Sequence, residues 1–205
     1  MSHAKPRRGE GRDILDHLSE LIDEDSFLYL RALLGDLAVA SVHPSSKFLI
    51  QRVLRAMDLR SARVVVEFGA ADGVITRQIL PAMHDGARLV AIERNAQLCR
   101  RLERLDDRRL VAVHGDVRRL GSILSGLGLS GADVIVSGVP FSLFRPRARH
   151  ELLCLTSDLL RPGGRFVAYQ MTTHLIPLLS DYFSKVETEF EVRNIPPLFV
   201  FKAFK

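Results

Sequence analysis

Tryptophan is absent from the chain and cysteine occurs only twice. Two thiols cannot build a disulfide framework. Cys99 and Cys154, in the apolar contexts Gln-Leu-Cys-Arg and Leu-Leu-Cys-Leu, read as small core residues in a reducing compartment. The two cysteines and seven histidines show no metal-ligand spacing, so no metal is expected. No apolar run approaches the ~18 residues of a membrane span. The opening Met-Ser-His-Ala-Lys-Pro-Arg-Arg is polar and lacks the apolar region of a secretory signal. A cytoplasmic, non-spanning protein is expected. Lysine is scarce as well: of 29 basic residues, 24 are arginine.

What is present suits one globular domain. The chain has 205 residues, 47% hydrophobic and 26% charged, enough for a single sizeable core and too ordered in composition for wholesale disorder. The net charge is +5. An arginine-rich surface makes planar contacts to phosphate, on a nucleic acid, an anionic membrane face or a phosphorylated substrate.

Residues 1–11 lack periodicity and are expected to be a disordered tail. Ile14, Leu15, Leu18, Leu21 and Ile22 recur at helical spacing, and Phe27 to Leu37 form a second, more apolar helical stretch. Pro44-Ser45-Ser46 caps a third helix with Phe48, Leu49, Val53, Leu54 and Met57 on its apolar face. The expected organisation is N-terminal helices over 12–46, as a lid or membrane contact, and a catalytic domain over 47–205. From Ala62 short apolar runs alternate with helical segments. Strands are expected at 64–68, 88–93, 110–114, 132–137 and 165–169, with helices near 74–82, 95–105, 147–160 and 175–183. Pro162-Gly163-Gly164 reads as a helix stop. Val186–Val192 and Leu198–Lys205 alternate around Ile195-Pro196-Pro197, an antiparallel hairpin at a sheet edge. Alternation followed by a hairpin implies an α/β three-layer sandwich.

The first strand runs into Glu67-Phe-Gly69-Ala-Ala71-Asp-Gly73. Gly69 and Gly73 permit a tight turn and close approach of a ligand, and Ala71 has the smallest side chain short of glycine. Glu93 ends the next strand about 20 residues on, where a carboxylate accepts from ribose hydroxyls. Asp116, in His114-Gly115-Asp116-Val117, follows the third strand and can accept from an adenine amino group. The turn lacks the full Gly-x-Gly-x-x-Gly of a pyrophosphate site. A carboxylate at Glu67 would repel pyrophosphate and suit an ammonium group. Adenosine carrying an amino acid is S-adenosylmethionine.

This pattern resembles class I S-adenosylmethionine-dependent methyltransferases over about residues 60–205. The resemblance implies a Rossmann-like, seven-stranded sheet ordered 3-2-1-4-5-7-6 with strand 7 antiparallel. It places Glu67 toward the methionine ammonium, Gly69, Ala71 and Gly73 along the cofactor, Glu93 on the ribose, and Asp116 with the Val117 backbone on adenine. Lys47, Arg94 and Ser137, beside these motifs, join the cofactor set. Ala71 departs from the usual middle glycine.

Ser137-Gly-Val-Pro140-Phe141 ends the fourth strand, where this fold faces the transferable methyl group. The chain resembles adenine-N6 methyltransferases there, but they carry Asn or Asp where this chain has Gly138. With no side chain at 138 the motif leans toward an sp3 amine. Ala40-Ser-Val-His43-Pro-Ser-Ser46, Ser137–Phe141, Leu160–Phe166 and Arg193-Asn-Ile-Pro-Pro197, in this order, resemble the bacterial phospholipid N-methyltransferases, relatives of the ribosomal RNA adenine dimethyltransferases. That resemblance covers about Phe27 to Lys205. It implies stepwise methylation of phosphatidylethanolamine to phosphatidylcholine by a peripheral enzyme on the inner face of the cell membrane, with no nucleic-acid partner. His43, where the family commonly has a small residue, and Met171, near where an aromatic often follows the fifth strand, depart from it.

The catalytic set is therefore Pro140, Phe141 and Tyr169. The acceptor set is His43, Ser46, Phe144, Arg145, Arg147 and Arg149, the arginines being placed to hold a lipid phosphate. Phe141, Phe144 and Tyr169 offer aromatic faces to a methylated cation. Tyr169, His43 and His174 are candidate bases. Residues 27–34 suit a lipid interface, while the helix over 13–24 is acidic. The alternatives are an RNA adenine methyltransferase, which the charge favours and Gly138 opposes; an N-methyltransferase of ornithine lipid or a small amine; and a non-catalytic cofactor-binding protein.

Overall fold

The computed structural model describes residues 45–205. The expected tail, the helices over 13–24 and 27–37, and His43 lie outside the described residues.

The five strands that read as apolar runs form the middle of the sheet: β1 (Val64–Phe68), β2 (Arg88–Glu93), β3 (Leu110–His114), β4 (Ala132–Ser137) and β5 (Leu160–Gln170). All five β1 residues are buried, as expected of a strand covered on both faces. β6 (Lys185–Glu191) and β7 (Leu198–Phe204) form the terminal hairpin, and β7 is antiparallel to both β5 and β6. The order is β3-β2-β1-β4-β5-β7-β6, the expected one.

Alternation along the strands divides the core. Val66 and Phe68 face a layer with Ile92, Ile135, Phe141, Phe166 and Phe201. Val65 faces the other layer, with Leu49, Val53, Met57, Ile79, Val136 and Val167. Glu67, two residues on from Val65, points into this second layer beneath the helices Lys47–Met57 and Thr76–Ala82.

The Lys47–Met57 helix starts where Pro-Ser-Ser implied. Ser46 is its N-cap, with Oγ accepting from the Leu49 N–H at 3.2 Å. Leu49, Val53, Ala56 and Met57 are buried. The helix start is fastened to the β6–β7 turn. The Ser46 N–H donates to Asn194 Oδ1 at 2.8 Å, and the Arg193 guanidinium lies 4.1 Å from the Phe48 ring centroid. Arg52 donates to the buried Glu191 at 2.9 Å and pairs with Glu189. Because Gln170 pairs with Phe199, this turn lies at the carboxyl end of β5, the end that carries the site.

Several details depart from expectation. The Pro146–Leu159 helix passes directly into β5, which includes Pro162-Gly163-Gly164. The β4–β5 pairing shifts between Ala132 and Val134, so those residues form an irregularity inside the strand rather than a stop before it. A Cβ at Gly164 would lie 2.8 Å from the Arg161 carbonyl oxygen and 2.9 Å from that of Asp133. The helix Leu120–Gly126 and the 3-10 turns Val117–Arg119 and Phe141–Leu143 had no counterpart in the sequence reading. Cys99 is buried, but Cys154 is exposed: its helix buries Leu152, Leu153, Thr156 and Ser157, which turns residue 154 outward.

Candidate active site

Glu67, Glu93, Asp116 and Ser137 sit at or just beyond the carboxyl ends of β1, β2, β3 and β4, along one edge of the sheet. In open parallel sheets ligands bind at this end.

The turn after β1 has the backbone its glycines implied. Gly69 and Gly73 have φ of 69° and 83°. A Cβ at Gly69 would lie 2.8 Å from Val139 Cγ2, and one at Gly73 2.9 Å from Leu102 Cδ2. Ala71 has φ 49°, the left-handed conformation that a glycine adopts without cost. Glu93 steadies it: the Ala71 N–H donates to Glu93 Oε2 at 2.8 Å, while the Asn95 N–H donates to Oε1 at 2.8 Å. The buried Glu93 carboxylate thus locks the turn to the end of β2, a structural task that the spacing alone did not reveal.

Glu67 is 3% exposed. It accepts a hydrogen bond from Thr76 Oγ1 at 2.6 Å. Burial pushes its carboxyl up to about 8; the Thr76 bond opposes this and the Glu93 charge adds to it. A buried carboxylate with this bond and no cation against it among the described residues is matched by an ammonium group.

Asp116 accepts from the Arg118 backbone N–H at 2.9 Å and from its Nη2 at 2.6 Å. Burial pushes the carboxyl up, but the Arg118 bonds outweigh that and hold it below its ordinary value. Arg118, absent from the sequence reading, is half-exposed. Val117 is buried behind it. Arg94 is half-buried and contributes positive charge at Asp116. Lys47 is exposed at the first turn of its helix.

At the end of β4, Ser137 is buried, and its Oγ accepts from the Val139 N–H at 3.2 Å. Pro140 is exposed. Phe141 is 1% exposed, with its ring against Phe144 (5.9 Å between centroids) and Phe166 (5.8 Å). Phe144 is buried too. The expected aromatic face for a methylated cation is therefore not formed by these two rings, which are core. The Phe141 N–H donates to Gln170 Oε1 at 3.1 Å, tying the acceptor motif to the end of β5.

Tyr169 lies beside Gly138. A Cβ at Gly138 would collide with the Tyr169 hydroxyl and stand 3.0 Å from its Cζ. Burial, then the Glu67 charge, pushes the phenol well above its ordinary range. The phenol therefore holds its proton more tightly than a solvated tyrosine does. His174 is exposed beyond β5. The three acceptor arginines differ in their partners. Arg147 is 91% exposed and pairs with Glu151, Arg149 donates to the Phe144 carbonyl at 2.8 Å, and Arg145 is exposed at the helix N-cap. Ser46 donates its N–H to Asn194 Oδ1 across the fold, and its Oγ accepts from the Leu49 N–H. Among the described residues, no group of His, Cys, Asp and Glu could hold a metal ion.

A left-handed turn after β1, acidic residues closing the next two strands and a sheet reversing only at β7 define a class I S-adenosylmethionine-dependent methyltransferase. No protein-family model matches the chain. It is 35% identical over 178 residues to the ornithine lipid N-methyltransferase of Singulisphaera acidiphila, spanning 85% of this chain and 93% of that protein. The chain belongs to that enzyme's family. It is also 30% identical over 108 residues to the ribosomal RNA small subunit methyltransferase A of Thermosynechococcus vestitus, 52% of this chain and 38% of that one. Among solved structures, the precorrin-6y C5,15-methyltransferase of Geobacter metallireducens superposes with TM-score 0.62 at 19% identity, covering 80% of this chain and 95% of that one. The 1,6-didemethyltoxoflavin-N1-methyltransferase of Burkholderia thailandensis gives 0.62 at 18% identity, covering 100% and 93%. These two likenesses concern the fold. The chain is an S-adenosylmethionine-dependent N-methyltransferase.

Proposed function

We propose that the protein methylates the primary amine of an aminolipid headgroup. The observation that carries this is the 35% identity, over most of both chains, to an ornithine lipid N-methyltransferase. Ornithine lipid is the first acceptor to test. Phosphatidylethanolamine, methylated stepwise to phosphatidylcholine, is the second, supported by the order of motifs from residue 40 to 197. Arg147 already pairs with Glu151 and Arg149 with the Phe144 carbonyl, so a lipid phosphate would have to compete with these partners.

S-adenosylmethionine, when bound, supplies an electrophilic methyl group. Glu67 would hold its ammonium, where a cation repays the burial of the carboxylate. Gly69, Ala71 and Gly73 would line it with the left-handed backbone of the turn after β1. Glu93 would take the ribose with lone pairs not spent on Ala71 and Asn95. Asp116 and the Val117 N–H would take adenine once Arg118 yields, with Lys47, Arg94 and Ser137 flanking. On the acceptor side the chain positions and desolvates. The Gln170 bond fixes the Val139–Pro140–Phe141 backbone, which lines the end of β4. Positioning of this kind supplies much of the rate of a methyl transfer.

Lipid access is consistent with the surface at this end. Ile195 is 70% and Val192 63% exposed in the β6–β7 turn, with Met171 exposed at the end of β5. Apolar side chains beside an active site suit a peripheral contact with the inner face of the membrane. Among the described residues no helix is long and apolar enough to cross one. Incubation with methyl-labelled cofactor and vesicles containing ornithine lipid, phosphatidylethanolamine or neither tests the proposal. Label in an aminolipid is expected; label in ribosomal RNA alone refutes it.

A further inference from the structure

Gly138 and Tyr169 are 31 residues apart in the chain (169 − 138) and adjacent in the sheet, because Ser137 pairs with Ala168. The parity that turns Val136 and Val167 into one core layer turns Gly138 and Tyr169 to the same side, the side of Glu67. The Tyr169 hydroxyl occupies the volume that any side chain at 138 would need. It makes no hydrogen bond among the described residues, although its ring packs on the core. A polar atom is thus held at the end of β4, backed by protein and unspent.

We propose that Tyr169 reads the acceptor: its phenol oxygen accepts a hydrogen bond from an N–H of the lipid amine, so that β5 provides the acceptor that β4 lacks at Gly138. This rests on the aminolipid reading above. In each transfer the amine lone pair forms the new N–C bond. The S–C bond breaks with its electron pair left on sulfur, and the resulting ammonium releases a proton to solvent before the next transfer. A primary amine has two N–H bonds, a secondary amine one and a tertiary amine none. The Tyr169 contact is therefore available for the first two transfers and missing from the third. Tyr169 favours less-methylated acceptors and sets how far the series runs.

Glycine at 138 is part of the same device. A side chain there would displace the hydroxyl, so the two positions should be coupled in stability as well as in specificity.

The test uses Tyr169→Phe, Gly138→Ala and the double variant in the full chain, with vesicles containing the unmethylated lipid or its dimethyl derivative. Tyr169→Phe is expected to bind S-adenosylmethionine in calorimetric titration as the parent does. Its ratio of turnover on unmethylated over dimethylated lipid should fall about tenfold or more, the scale of one hydrogen bond in a desolvated site. Gly138→Ala should lower the melting temperature in the parent and lower it less in the Tyr169→Phe background. An unchanged turnover ratio in Tyr169→Phe overturns the proposal, as does a Gly138→Ala effect on melting that ignores residue 169. Failure of the parent to methylate any aminolipid would instead overturn the reading on which the proposal rests. An unchanged ratio in an active parent overturns the Tyr169 assignment alone.

Discussion

Glu67→Gln should remove a pH dependence that the fold builds into its own active site. The side chain is 3% exposed, and burial raises its carboxyl from an ordinary 4.5 to about 8. Between these values the unfolded chain has lost the proton while the folded chain keeps it. The unfolded state then binds fewer protons, so stability falls as pH rises. The contribution is complete below pH 4.5 and lost as pH climbs through 8. At 1.36 kcal/mol per pH unit, the whole window is worth about 5 kcal/mol at most. That is a large share of the 5–15 kcal/mol typical of a domain. Glutamine keeps an oxygen for the Thr76 hydroxyl, which bonds Glu67 at 2.6 Å, and removes the titration. Denaturant unfolding of cofactor-free parent and variant between about pH 5 and pH 8 reads the difference directly. Asp107, Glu187 and Glu191 are held near 2 by arginine or lysine partners, so their titration falls below this window. The parent should lose stability relative to the variant as pH rises. Cofactor binding near neutral pH should release a proton in the parent, because an ammonium favours the charged carboxylate. Parallel curves, with no difference in proton release, would refute the reasoning.

Three further outcomes are expected. Glu93→Ala leaves the Ala71 and Asn95 N–H groups without their acceptor, so cofactor affinity should fall by about 1–3 kcal/mol in calorimetric titration, with part of the loss due to a loosened turn. Phe141→Ala should cost about 3–5 kcal/mol of unfolding free energy, since the ring is core, while Phe141→Leu should retain most of its turnover per folded molecule. Glu191→Gln should lower the melting temperature at neutral pH by weakening the Arg52 and Arg193 bonds. That deficit should shrink as pH falls from 4.5 toward 2, because the depressed carboxyl stabilises only while charged.

The strands themselves and the acidic strand ends were legible because each rests on local pattern, whereas the strand order followed from the resemblance to class I methyltransferases. Val64–Phe68 is a continuous apolar run, as a doubly covered strand requires, and Ser46 announces its helix by capping chemistry. What was not legible depends on register or tertiary contact. The helix Leu120–Gly126 spans seven residues, two of them glycine and two serine, too short and too poor in helix formers to register as a periodic segment. Phe141 and Phe144 looked like site aromatics because they follow the acceptor motif. Only the packing against Phe166 shows that the chain turns them into the core. Arg118 was invisible because its bond to Asp116 arises from a 3-10 turn that forms after β3. The Gly138–Tyr169 pair depends on Ser137 standing beside Ala168, which no local pattern encodes. Spacing singled out Glu93 and Asp116, while the neighbourhood of Gly138 and Tyr169 had to come from strand pairing.

The most direct measurement is transfer of labelled methyl groups from S-adenosylmethionine by the full chain, offered aminolipid vesicles and ribosomal RNA in the same reaction. The account expects label in the lipid fraction, on ornithine lipid or phosphatidylethanolamine, and none in RNA. Label in RNA with none in any aminolipid would contradict it.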